Sequence, residues 1–296
     1  MNRNKAIILV LLTGVIWSTG GFMVKLISWP PLVISGIRSG IAMLVILLFN
    51  RPENIRFSKN TILGAFFYAV MVTFFVMANK LTSAGNVILI QYAAPFYVAV
   101  FSFIFLKEKP TNLDWITIII LLVGLSLFFF EDLLFDQLLG NIFRIISGFG
   151  FAGTILFMRK QKDARPIDSI LLGNLITFLI SAPFYVGGIT SEPIAWVGIL
   201  YLGVFQLGLS YCLYSIAIKY ISALDASIYP MIEPLSSPLF AFFILGETMT
   251  NNAIIGGGII LLIVTLRGFI QNKNLKDQIL DAKKIKSPLI RAFYKH

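Results

Sequence analysis

Apolar runs of 17 or more residues recur along nearly the whole chain, separated only by short polar or charged segments. A helix of that length crosses the hydrocarbon core of a bilayer, so the pattern says polytopic membrane protein. The pattern predicts ten spans at 6–27, 32–49, 61–79, 86–106, 115–130, 140–158, 170–186, 194–216, 226–245 and 253–269. The fold class expected is therefore an all-α polytopic membrane protein. The start, Met1 to Lys5 followed by an apolar run, has the outline of a signal peptide. That run is too long for a signal core and lacks a small-x-small cleavage site, so it is read as the first helix.

The ninth run breaks the apolar pattern. Glu233 lies about a third of the way in, flanked by Pro230, Pro234 and Pro238. Proline removes a backbone donor and frees a carbonyl one turn back, which predicts a kinked or opened helix. A carboxylate inside a membrane is costly unless it meets water, a partner or a ligand, so Glu233 marks a site.

This stretch has an approximate copy 139 residues earlier. Setting 78–112 against 217–251 without gaps gives 11 identities in 35, pairing Pro95 with Pro234 and Glu108 with Glu247. Lipid does not select Pro, Glu, Lys and Asn, so the match reads as an internal repeat. The copies differ at Glu233, whose counterpart is Ala94. A weaker match sets Gly14 on Gly148 and Lys25 on Arg159. The expected organisation is a first five-helix repeat at 1–135, a second at 136–270 and a basic tail at 271–296. A repeat with an odd number of spans must enter the bilayer upside down. The ten helices therefore form two inverted five-helix repeats, with a substrate site near the midplane between them.

Charge sharpens the topology. The net charge of +10 resembles a nucleic-acid signal until its placement is considered. With the N-terminus in the cytoplasm, 20 of the 24 Lys and Arg fall on inside segments, while the outer loop 131–137 carries three acids and no base. The positive-inside rule then places both termini in the cytoplasm and the protein in the cytoplasmic membrane. No nucleic-acid partner is expected; the lipid bilayer is the partner. One Cys and one His exclude a disulfide framework and the common metal sites. There is no phosphate-binding loop of the Walker type, so no cofactor or ATP chemistry is expected and a gradient must supply the energy. A Phe-rich apolar exterior is compatible with a monomer or a homodimer.

Several local patterns resemble the drug/metabolite transporter superfamily, specifically its EamA-type exporters. They are Trp17-Ser18-Thr19 with Lys25, Arg38 in the second helix, and Pro95 with Glu108 at the end of the fourth. The nearest match runs from Gly203 to Glu247, with Tyr211, Ala226-Ser227, Glu233-Pro234 and Leu245-Gly246-Glu247. The first copy departs from the pattern with Lys107-Glu108 where Gly-Glu is usual. The resemblance implies a transporter rather than an enzyme. It also implies export of small polar or amphipathic metabolites such as amino acids.

The residues leave alternatives open. Glu233 serves as a ligand for a substrate ammonium, as a carrier of a coupling proton, or as a structural group in the opened helix. Arg38 is an anion or carboxylate ligand, or a snorkelling residue paired with the acidic outer loop. Trp17, Gln91, Tyr92, Gln206 and Tyr211 offer hydrogen bonds within the bundle as substrate or coupling residues. Pro95, Pro230, Pro234 and Pro238 are helix breaks suited to gating. Glu108 and Glu247 end their helices, an unfavourable place for a carboxylate, and are expected to be structural acids reaching donors on neighbouring helices. Gly36 and Gly40, and the run 256–258, suit close helix contact. Two rival functions remain: a uniporter or exchanger of sugar-linked or phosphorylated metabolites, which needs more base than Arg38 and Arg144 supply, and a membrane-embedded enzyme built on Glu131, Asp132 and Asp136.

Overall fold

A computed structural model describes residues 1–50, 57–81, 93–128, 138–236 and 250–293, with side chains described to residue 273. All regular structure among these residues is helical. Among the described residues seven helical stretches are long and apolar enough to cross a membrane, and two shorter helices, 94–106 and 112–128, are apolar too. The protein is a multi-pass helical membrane protein. The expected spans at 86–106, 115–130 and 226–245 extend into residues outside the described set, where Gln91, Tyr92, Glu131, Asp132, Asp136, Pro238 and Glu247 also lie.

The first span is two helices, α1 (Arg3–Trp17) and α2 (Gly20–Leu26). The break has a local cause. The Ser18 hydroxyl donates to the Val15 carbonyl at 2.6 Å and Thr19 to Ile16 at 2.8 Å, competing with the backbone ladder just before two glycines. Next come α3 (Pro31–Phe49), α4 (Lys59–Leu81), α5 (Ala94–Leu106) and α6 (Asn112–Phe128). Pro95 lies in the first turn of α5, where its missing N–H costs no helical bond. At the other end of α5, Lys107 adopts the left-handed conformation that stops the helix (φ 59°).

The second half comprises α7 (Leu138–Lys160) and α8 (Ile167–Ser181), then α9 (Pro193–Tyr201), which widens into a π-helix at Leu202–Leu209 before α10 (Ser210–Ala217). The ninth run opens with α11 (Ala223–Ile228), capped by the Ser222 hydroxyl, which accepts from the Asp225 N–H at 3.0 Å. It tightens into a 3₁₀ turn at Tyr229–Ile232, and helix resumes at Glu233. The last helix, α12 (Asn251–Phe293), continues well past the expected end at residue 269 and carries the tail as helix.

Packing crosses between the halves. The third long helix, α4, packs on α7 and α8, while the α9–α10 rod packs on α1 and α3; α3 meets α8, α6 meets α12, and α5 meets α11. Exchanging the halves maps this set of contacts onto itself, as a pseudo-twofold relation requires. One tight crossing is at Gly150 of α7, where an added Cβ would lie 2.8 Å from the Met71 backbone nitrogen of α4, so no larger residue fits. Gly36 and Gly40 of α3 face Tyr185 and Phe178, and Gly256 of α12 lies against Gly124 and Phe128 of α6.

Candidate functional site

Where these crossings meet, a narrow cavity of about 380 Å³ (its open mouth included) is walled by Trp17, Phe75, Phe151 and Tyr211, with Arg38, Gln206 and Glu233 as its polar groups. Only about 30 Å³ of it is open to a water-sized sphere, room for about one water, so in this conformation the cavity is closed to a metabolite. Each polar group is placed by one of the irregular elements. Gln206 lies in the π-helical stretch, a geometry frequent at functional sites. Gly20, just after the break in the first span, leaves room for the Gln206 amide: a Cβ there would lie 2.7 Å from Nε2. Glu233 follows the 3₁₀ turn, its N–H donating to the Pro230 carbonyl, and is 7% exposed.

Arg38 does not snorkel, and the acidic outer loop lies outside the described residues. It is 1% exposed. Its Nη1 donates to Gln206 Oε1 at 3.2 Å and its Nη2 to the Val72 carbonyl at 2.8 Å, and the guanidinium lies 5.7 Å from the Phe75 ring centroid. Its Nε is buried with no hydrogen-bond partner among the described residues. A donor buried without an acceptor costs about 1–3 kcal/mol, more when charged, and an arriving anion would relieve that cost.

An aromatic layer supports the cavity. Trp17 packs against Phe151, Tyr211 and Tyr214 at 5.1–5.7 Å between centroids, and its indole N–H donates to Ser210 Oγ at 2.9 Å. Tyr68 stands edge-on to Tyr211 and donates to Asn174 Oδ1 at 3.2 Å, and Tyr214 donates to the Ala226 carbonyl at 2.7 Å. Five residues named from the sequence (Trp17, Arg38, Gln206, Tyr211 and Glu233) thus line one cavity. Pro230 and Pro234 shape the segment that carries Glu233, whereas Pro95 lies outside this lining. Sequence reasoning missed the apolar walls, Met71, Val72, Phe75, Phe151 and Leu207, which no composition signal separates from ordinary core.

Glu108 is elsewhere. The turn after α5 directs its carboxylate to Arg159 Nε at 2.8 Å and to the Ala223 N–H at 2.9 Å, while Arg159 also donates to the carbonyls of Ile218 and Lys219 at 3.0 Å.

Broken helices converging on a small, charged and aromatic-walled cavity inside a two-part helical bundle are the build of a membrane transporter. The comparisons agree. The chain belongs to the EamA-like transporter family, whose model matches it twice, at residues 4–130 and 138–268. It is 27% identical over 261 residues to an uncharacterized transporter of Archaeoglobus fulgidus, covering 85% of this chain and 92% of that protein. It is 23% identical over 241 residues to the threonine/homoserine exporter RhtA of Escherichia coli strain K12, covering 77% of this chain and 78% of that protein. One solved crystal structure matches with a TM-score of 0.75 at 16% identity, over 91% of this chain and all of the other, and supports the fold.

Proposed function

We propose that the protein is a secondary active exporter of small zwitterionic metabolites, amino acids first among them, working by alternating access in the cytoplasmic membrane. Ten spans in two inverted five-helix repeats, divided near residue 135 and with both termini inside, complete this reading. The observation that carries it is the pairing of one guanidinium and one carboxylate, Arg38 and Glu233, on the walls of one cavity. A substrate carboxylate suits the unpartnered Arg38 Nε, and an ammonium suits Glu233. The aromatic walls would border a modest side chain once the cavity opens, and the distant likeness to a threonine/homoserine exporter points the same way. Glu233 also provides a group on which proton exchange can be coupled to substrate, and Pro230 and Pro234 let its segment move.

The test is exchange in proteoliposomes loaded with a mixed pool of labelled amino acids under a pH gradient. Gradient-driven movement is expected for the native chain and for none of its Arg38→Ala variant. Glu233→Gln should lose the gradient response while retaining exchange if Glu233 carries the proton, and lose both if it binds only the ammonium. Movement of no amino acid by the native protein would refute the substrate assignment.

A further inference from the structure

The densest charged cluster lies away from the cavity. Arg267 of α12, 1% exposed, donates to Asp114 Oδ1 through Nε at 3.2 Å and Nη2 at 2.8 Å, and to Asp225 Oδ1 through Nη1 at 2.6 Å. Arg3 of α1 donates to Asp225 Oδ2 at 3.1 Å, to the Tyr229 hydroxyl at 3.4 Å, to Asn272 Oδ1 at 2.9 Å and to Gln271. The second oxygen of Asp114 is held by the N–H and hydroxyl of Thr111 at 2.8 and 2.9 Å, the reciprocal bonds of a capping box. Four elements, two from each half, are thereby tied at the end of the bundle where the chain begins.

We infer that this Arg267–Asp114–Asp225–Arg3 lattice is the lock that closes the substrate path at the end bearing the chain's start, and that it must come apart each time the cavity opens to that side. The inference rests on the transporter reading. Its geometry provides the coupling. Asp225 and Glu233 share one segment, eight residues or about 12 Å apart as helix, with the 3₁₀ turn at Tyr229–Ile232 between them. Trp17 at the cavity is about 21 Å along α1 from Arg3. Substrate at Glu233 and separation at Asp225 thus act on opposite arms of one hinged segment. The lattice is also all-or-none. Two carboxylates and two guanidiniums balance when dry, whereas one broken pair leaves a buried charge that only entering water relieves. Such a contact has a closed dry state and an open wet one. These four are positioning residues: they act on the cavity through the segment that carries Glu233.

Cysteine accessibility tests this. In a Cys212→Ser background the near-isosteric Val72→Cys places a thiol in the cavity wall. Labelling by a membrane-impermeant thiol reagent is then compared from the two faces in right-side-out and inverted vesicles. Asp225→Asn should raise labelling from the face bearing the chain's start about tenfold and lower it from the other. Equal labelling in the variant and its parent on both faces would overturn the lock. Should Asp225→Asn not fold, the Cys212→Ser protein carrying Asn4→Cys and Asn272→Cys is bridged by a short bifunctional thiol reagent, with Val72→Cys present or absent. Bridging should reduce cavity labelling from that face at least fivefold, and reduction of a cleavable bridge should restore it; labelling indifferent to the bridge would also overturn the proposal. Neither arm requires a known substrate, so an incorrect substrate assignment leaves both readable.

Discussion

Among the described residues, the two ends of the bundle are joined by different kinds of contact. All five ion pairs among the described residues lie at the end where the chain begins: Arg3–Asp225, Arg267–Asp114, Arg267–Asp225, Arg159–Glu108 and Arg165–Asp168. At the opposite end, described residues are joined by single bonds and rings. The Trp29 indole donates to Thr190 at 2.9 Å and stacks edge-on with Trp196, Ser28 donates to Glu192 at 2.9 Å, and Lys80 donates to the Ile27 carbonyl. Aromatic contacts and single hydrogen bonds weaken by degrees as surfaces slide. A buried charged lattice resists until it fails together. Among the described residues, charged contacts thus gather at one end and aromatic ones at the other, which makes the charged end the one expected to resist opening until several pairs fail together.

The contrast is most open to breaking at Arg267. Arg267→Ala leaves Asp114 and Asp225 facing each other with Arg3 alone to offset them, and is expected to destabilise the protein by roughly 3–5 kcal/mol. Arg267→Lys keeps the charge but loses the planar fork that serves both carboxylates, and should fall between. Thermal unfolding of the full chain in detergent reads both. A loss under 1 kcal/mol for Arg267→Ala would mean that the lattice contributes little to holding the end shut.

Next in size is Glu108→Gln. Its partner Arg159 keeps two carbonyl acceptors, and the pair is partly exposed (13% and 28%), so the expected loss is about 1–2 kcal/mol. A loss as large as that of Arg267→Ala would move the lock from α12 to the turn after α5.

The sequence carried the site better than the lock, and the reason is physical. A carboxylate between prolines or an arginine within an apolar run stands out because lipid penalises it, so Glu233 and Arg38 are visible one at a time. The first-span break was also written locally, in Ser18-Thr19 followed by Gly20-Gly21. The lock was not. Arg3 and Arg267 count among the inside charges that set the topology, and nothing in the sequence singles out Asp114 or Asp225. Their pairing joins residues 42, 153 and 222 positions apart, which no periodicity records. The π-helical widening around Gln206 was equally hidden, since Gly203 and Gly208 permit it without announcing it. Helices and their order follow from hydrophobic period, whereas ion-pair partners at helix ends depend on how the halves cross.

The smallest expected effect sharpens the comparison from the other end. Trp29→Phe keeps the ring against Trp196 but removes the N–H that meets Thr190, which leaves a hydroxyl able to turn to water. The cost should be about 0.5–1.5 kcal/mol. Its effect on access should run opposite to that of Asp225→Asn. Loosening this end should raise labelling of the Val72→Cys thiol from this face, by about twofold rather than tenfold, because one neutral bond is lost and the aromatic packing remains. Equal gains from the two variants would show that both ends are held by contacts of similar strength. The charged lattice would then set which residues meet at its end, and not how firmly that end is shut.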